Sequence, residues 1–397
     1  MPTIAFVPVA FGYGTTVRCL AVADVLRRRG HRCTFLASET IRPMIDRYDF
    51  PVCPIPDVEI HSHQRERPAH QLFRQWSSPN FLDRQLSAVV RALHEMRAEV
   101  VVYSNSMTAE LAAGILGLRS VSIFQPSILG IPTLSLGWPM VATWLRWVML
   151  RARSNLSKPV VSAFVGDRSF IPSIPPLIHW PWLVPPGLAR HREELEPVGA
   201  LLTQDPDLLP PRGVLRQELG VEGTPFVYGT VGGAIFNLDL IRSVAGGMRQ
   251  AGCFGLVSGG AIVTAELSQR LSDDRVKVVH FVPDDLRAIK AADVLIWHGG
   301  DETMMEAVAC GTPAIGLPDQ LDQFANVAGV VDFGAGLELS PTRLRASQLA
   351  AAIRQVLHEP RFHARMETLR ELNAGYGGAP AVADATESLI GVTSGRG

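Results

Sequence analysis

The sequence predicts an α/β protein made of two doubly wound, parallel-sheet domains facing each other across a cleft. Three observations predict it. Short apolar runs alternate with helical stretches along most of the chain, and one Pro- and Gly-rich stretch past the middle interrupts that alternation. The 397 residues, 47% of them hydrophobic with a mean hydropathy of +0.16, suffice for two separate cores. Strands separated by helices pair in parallel, and a parallel sheet is covered by helices on both faces.

The opening residues 3–8 read as a first strand; no basic segment precedes them, which argues against a secretory leader. Gly12-Tyr13-Gly14-Thr15-Thr16 then forms a glycine loop into a helix whose apolar stripe is Val17, Leu20, Ala21 and Leu26. Gly30 ends this helix, and 32–37 is the next strand. The pattern continues with a helix near 82–97, a strand at 100–103, a helix at 108–116 and a strand at 120–124. No charged residue occurs from 120 to 145, enough on paper to cross a bilayer, but Pro126, Gly130, Pro132, Gly137 and Pro139 break the run. A buried strand followed by an apolar wall is expected there, without stable membrane insertion. Pro206, Pro210, Pro211, Gly213, Gly220 and Gly223 mark a linker. Beyond it come strands at 226–230, 254–258, 276–280 and 294–297, with a helix at 238–250. The expected division is an N-terminal domain over 1–205, a linker over 206–224, a C-terminal domain over 225–378 and a final helical segment over 379–397.

A net charge of −1 without a run of five like charges speaks against a nucleic-acid partner. The five cysteines are scattered and never in Cys-x-x-Cys spacing, which predicts reduced thiols, a cytoplasmic location and no metal site. Lysine occurs only at 158, 277 and 290, the coding bias of a GC-rich bacterial genome.

The most informative stretch is Trp297-His298-Gly299-Gly300-Asp301-Glu302-Thr303-Met304-Met305-Glu306, followed by Gly311-Thr312-Pro313 and Asp322-Gln323-Phe324-Ala325-Asn326. An apolar strand ends in two glycines and opens a helix. Without Cβ atoms the chain turns sharply there and lets a ligand approach its backbone, and the unpaired N–H groups of the helix start favour an anion. His298 and Thr303 suit phosphate oxygens, and Glu306 suits ribose hydroxyls. An ordinary tight turn is the plainer alternative for the glycines alone.

These three blocks resemble the GT-B glycosyltransferases of family 1, especially the natural-product branch. That family reads His-Gly-Gly-x-Gly-Thr-x-x-Glu-Ala, then Gly-x-Pro, then Asp-Gln-x-x-Asn, and the likeness is specific over 281–339. The resemblance implies two Rossmann-like domains in the GT-B arrangement and inverting, metal-independent transfer from a UDP- or dTDP-sugar to a small, largely apolar acceptor, as in antibiotic biosynthesis and other secondary metabolism. It needs no cofactor beyond that co-substrate. His298 and Thr303 would contact the diphosphate, Glu306 the ribose, and Asp322 with Gln323 the sugar. Gly300, Asp301 and Glu302 would line the phosphate loop, Val282 would face the base, and Gly232 with Gly233 would close the diphosphate from the other side. The N-terminal half, which holds six of the seven tryptophans, would take the acceptor, with Tyr13, Trp76, Phe124 and Trp138 as candidates. Ordinary packing is the other reading of those aromatics. A homodimer is a possible assembly.

The resemblance fails in two places. Inverting members place a histidine in the first glycine loop and an aspartate after the strand at 100–103; here those positions are Thr15 and Ser104. A threonine hydroxyl cannot hold a proton near neutral pH. Another base would come from the loop at 58–70, which offers Glu59, His61, His63 and His70, or from Asp83; an acidic or otherwise activated acceptor would need little help. A non-catalytic auxiliary protein that binds nucleotide and activates a partner transferase is the competing reading, and a nucleotide-sugar epimerase a third. Asp301 and Glu302 also stand where the family has small or amide side chains, adding two negative charges beside a diphosphate.

Overall fold

The computed structural model describes residues 1–10, 13–59, 68–78, 80–129, 137–180, 186–231 and 237–391. Its first half runs β1 (Thr3–Pro8), α1 (Gly14–Arg28), β2 (Arg32–Ala37), α2 (Arg42–Asp46), β3 (Val52–Pro54), α3 (Pro68–Ser77), α4 (Phe81–Glu95), β4 (Val100–Ser104), α5 (Ala109–Leu116), β5 (Arg119–Ile123), α6 (Gly137–Arg153), β6 (Arg168–Ile171), α7 (Pro186–Ala189) and β7 (Leu195–Pro197). The second half runs α8 (Arg212–Glu218), β8 (Phe226–Thr230), α9 (Leu238–Ala251), β9 (Phe254–Ser258), α10 (Ala265–Leu271), β10 (Val276–Val279), α11 (Asp285–Ala291), β11 (Val294–Trp297), α12 (Asp301–Cys310), β12 (Ala314–Gly316), α13 (Leu321–Asp332), β13 (Gly336–Glu338), α14 (Ala346–His358), α15 (Pro360–Ala374) and α16 (Gly378–Ser388).

Two all-parallel sheets result, ordered β3-β2-β1-β4-β5-β6-β7 and β10-β9-β8-β11-β12-β13. In each, the winding direction reverses once, between β1 and β4 and between β8 and β11. The crevice at the carboxyl ends of such a strand pair is where open α/β sheets bind ligands. Pro8 lies opposite Ser104 at one reversal and Thr230 opposite Trp297 at the other, so both loops singled out in the sequence leave from these two places.

The strands are apolar on both faces because both faces are covered. Along β11, Leu295 and Trp297 enter one core of the C-terminal domain while Val294 and Ile296 enter the other, as the two-residue period of a strand requires. The final helix α16 leaves that domain and buries Ala379, Val382, Ala383 and Ala385 in the N-terminal core. Arg29, just past the end of α1, holds its outer side by pairing with Asp384 and Glu387 at 2.6 and 2.7 Å.

Two sequence expectations change. The 206–224 stretch is more than a linker: within it α8 buries Leu215 in the C-terminal core, and Arg216 grips Asp293 at 2.8 Å. Its Pro and Gly residues punctuate a short helix that composition alone hides. The described residues of the uncharged run at 120–145 include most of β5, a 3₁₀ turn at Pro126–Leu129 and the first part of α6. Among the described residues no helix is long and apolar enough to cross a membrane.

Candidate active site

The loop between β11 and α12 is pinned from inside. Asn326 of α13 donates its amide to the Gly299 carbonyl at 2.8 Å, and the Trp297 indole N–H donates to the Gly300 carbonyl at 3.3 Å. Holding these carbonyls inward leaves the N–H groups at the helix start to face the cleft. Gly300 is the N-cap of α12 and supplies no side-chain cap, whereas Asn237, Thr264 and Asp284 cap α9, α10 and α11. The start of α12 is therefore left open to an anion.

Gly299 has φ +95°, and a Cβ there would lie 2.8 Å from both the Cβ and the carbonyl oxygen of Gln323. Only glycine meets both demands. Gly299→Ala is expected to cost roughly 1–3 kcal/mol of stability through backbone strain and to push α13 off the loop. Chemical denaturation of the purified variant checks this; an unchanged midpoint would remove the constraint on the loop.

His298 sits over the next glycine: a Cβ on Gly300 would be 2.8 Å from the imidazole Nε2. The Nδ1 atom is buried without a hydrogen-bond partner in the structure, and burial pushes the imidazole down to about 4. His298 is thus neutral near pH 7, burial outweighing the ring's backbone hydrogen bond with Thr230. Glu306, a turn further on, is pushed well above the ordinary carboxyl range by burial, then by Glu302, Asp285 and Asp284. A carboxyl held this way favours its protonated form, which can both donate to and accept from a hydroxyl. Asp322 is raised to about 6 by burial, against the backbone N–H groups of Asp322 and Gln323. The Gln323 side-chain oxygen accepts from the N–H groups of Asp319 and Gln320 at 3.0 and 3.2 Å, so its amide nitrogen is the end left for a ligand.

Asp301 and Glu302 meet a partner that the sequence did not reveal. Arg18, on α1 of the other domain and 2% exposed, pairs with Asp301 and reaches Glu302 with its Nε at 3.3 Å. The two glycine loops touch here: a Cβ on Gly14 would lie 3.4 Å from the Glu302 Cβ. Burial lifts the Glu302 carboxyl to about 7, opposed by the Arg18 charge, and leaves its Oε1 without a partner.

On the N-terminal side, the Thr15 hydroxyl donates to the Val9 carbonyl at 2.7 Å, so it fastens the loop and is not placed as a base. Ser104 is buried with its hydroxyl unpaired. Thr16 Oγ1 in the first turn of α1, and Asn105 Oδ1 and Gln125 Oε1 just after β4 and β5, are likewise buried without partners. Such unpaired buried atoms are rare in proteins, and their gathering beyond three neighbouring strands marks a place that a polar ligand group would complete. Below it, Asp57 carries three hydrogen bonds, from the Ala10 N–H at 2.7 Å, the Val58 N–H at 2.7 Å and the Gln85 amide at 2.9 Å.

The remaining candidates divide. Phe124 is a core residue, fully buried and stacked on Phe164 at 4.6 Å, because it directly follows the central strand β5. Trp76 is 2% exposed and packs edge-on against Phe73, though its indole N–H has no partner. Tyr13 and Trp138 are exposed, and Val282 packs on the C-terminal core. Asp83 is engaged at the surface by Arg153 at 3.2 Å, and Glu59 is held by Gln75 through its backbone. His61, His63, Gly232 and Gly233 lie outside the described residues. His70 falls on α3, with its side chain outside them.

Residues 261–389 match the C-terminal domain of erythromycin biosynthesis protein CIII-like proteins. An uncharacterized glycosyltransferase of Methanopyrus kandleri is 26% identical over 343 residues, covering 84% of this chain and 90% of that protein. The fold superposes on the glycotransferase of kitacinnamycin with a TM-score of 0.74 at 20% identity, covering 98% of this chain and 100% of that one. A spinosyn rhamnosyltransferase complexed with thymidine diphosphate gives 0.71 at 18% identity, with the same coverage of 98% and 100%. The structural likenesses establish the two-domain architecture, and the sequence matches make residues 261–389 similar to the CIII-like C-terminal domain and most of the chain similar to most of a glycosyltransferase.

Proposed function

We propose that this glycosyltransferase moves a sugar from a UDP- or dTDP-sugar to a small, largely apolar natural-product acceptor, with inversion at the anomeric carbon. The observation that carries the reading is the uncapped start of α12, whose loop carbonyls are pinned inward beneath a neutral imidazole. The diphosphate would lie on that helix end against His298 and Thr303. Glu306 would take the ribose, and Asp322 with the Gln323 amide nitrogen the sugar hydroxyls. The thymidine diphosphate held by the rhamnosyltransferase of the same fold supports a nucleotide of this class. The acceptor atom attacks the anomeric carbon from the N-terminal side, the bond from that carbon to the diphosphate oxygen breaks, and the acceptor's proton passes to water. Helix N–H groups and His298 stabilise the negative charge that grows on the leaving diphosphate.

The four unpaired polar atoms around Ser104 and Asn105 support a polar handle on an otherwise apolar acceptor. The usual histidine–aspartate pair is absent at Thr15 and Ser104, which favours an acceptor whose attacking atom loses its proton readily, such as a phenol. Incubation with labelled UDP- and dTDP-sugars and a panel of phenolic and alcoholic acceptors tests the reading. Released nucleotide together with a product of added hexose mass is expected. A folded protein that binds neither nucleotide would sink it.

A further inference from the structure

We propose that Arg18 is a positioning residue for the donor: it reaches across the cleft, neutralises Asp301 and Glu302 at the start of α12, and so lets a diphosphate occupy that helix end. This rests on the donor site described above. Acids in the first turn complement a helix start as long as no other anion needs that place. Here they stand where the diphosphate would arrive, and only opposite charge close by can offset the repulsion between them. Arg18 is the group the fold supplies, since one guanidinium contacts both carboxylates and is itself buried between the domains.

Arg18 brings one positive charge against two acidic side chains, pairing with Asp301 and reaching Glu302, whose Oε1 has no partner; removing it leaves both acids at the helix start without that cation. Because Arg18 comes from α1 and the acids from α12, the compensation exists only while the two glycine loops are in contact, as the approach of Gly14 to Glu302 shows. One side chain thereby ties donor binding to the contact between the two glycine loops. It also accounts for a departure in the phosphate loop: a glutamate is tolerated at 302 because an arginine stands opposite it.

Titration calorimetry on the full chain tests this with UDP and dTDP as charged probes and uridine and thymidine as uncharged ones. Arg18→Gln is expected to weaken the diphosphate roughly 30- to 1000-fold. Nucleoside affinity, which reads the base and ribose pocket, should stay within about threefold. Adding Asp301→Asn and Glu302→Gln to Arg18→Gln should restore most of the diphosphate affinity. A purely structural arginine would lower diphosphate and nucleoside together, and that result overturns the proposal, as does a triple variant that recovers nothing. If Arg18→Gln fails to fold, the Asp301→Asn/Glu302→Gln pair in the presence of Arg18 decides: it should bind diphosphate more tightly than the parent, and equal or weaker binding overturns the proposal. A parent protein that binds neither diphosphates nor nucleosides overturns the donor site itself, a distinguishable failure.

Discussion

Replacing His298 by alanine is expected to lower kcat/KM for sugar transfer by roughly 10²- to 10³-fold, the usual loss when one preorganised donor to a developing anion is removed. The imidazole is positioned by the glycine beneath it, with no Cβ in the way, and burial keeps it neutral at about 4. A neutral ring gives one directed N–H and brings no counter-ion of its own into the pocket, so its contribution grows as charge builds on the leaving diphosphate. Its Nδ1 has no hydrogen-bond partner in the structure, and truncation gives up the ring's backbone hydrogen bond with Thr230 at the end of β8. The fold should survive, and the larger loss should fall on catalysis and diphosphate binding. Steady-state kinetics with the preferred donor, alongside a thermal melt, separates the two effects. Turnover within a few-fold of the parent in a folded variant would remove His298 from the chemistry.

What the sequence made legible follows from what local physics can encode. The strand at 294–297 was visible because a buried parallel strand is a continuous apolar run, and the helix behind it because Gly299 and Gly300 have a strong local meaning. The strands at 168–171 and 195–197 were not visible: they read Arg-Ser-Phe-Ile and Leu-Glu-Pro, so charged residues and a proline break the continuous apolar run that marks a buried parallel strand. The partner of Asp301 and Glu302 was hidden for a different reason. Arg18 is 284 residues from Glu302 and is one of many arginines in the chain, so only the apposition of the two domains singles it out. Phe124 was misjudged because an aromatic at a strand end reads the same whether it lines a cavity or, as here, completes a core.

Asp57 went unnoticed for the same reason as Arg18, and replacing it should have the largest effect on stability. Its carboxylate accepts from Ala10, Val58 and Gln85, which are 47, 1 and 28 residues away, and thereby ties the start of the first glycine loop to α4. Gln85 in turn accepts from the Thr108 hydroxyl at 3.2 Å, which extends the network towards β4 and α5. Asp57→Ala leaves three buried donors without an acceptor, and at about 1–3 kcal/mol for each unsatisfied group, eased where water can enter, the expected cost is about 3–5 kcal/mol. The pH dependence identifies the carboxylate as the cause. Burial raises Asp57 from 3.8 to about 6, against its three hydrogen bonds, so the native state holds this proton more tightly than the unfolded chain does. The stability from that proton is complete below the unfolded pKa and is lost as pH rises through about 6. Between pH 8 and pH 5 the parent should therefore gain about 1 kcal/mol relative to Asp57→Asn, which keeps the shape but cannot titrate. Denaturant melts followed by tryptophan emission suit the measurement, because six of the seven tryptophans lie in the N-terminal half and report the domain that holds Asp57. Parallel stability profiles for parent and Asp57→Asn across that range would mean that the carboxylate titrates at its ordinary value and that the loop is anchored by something else.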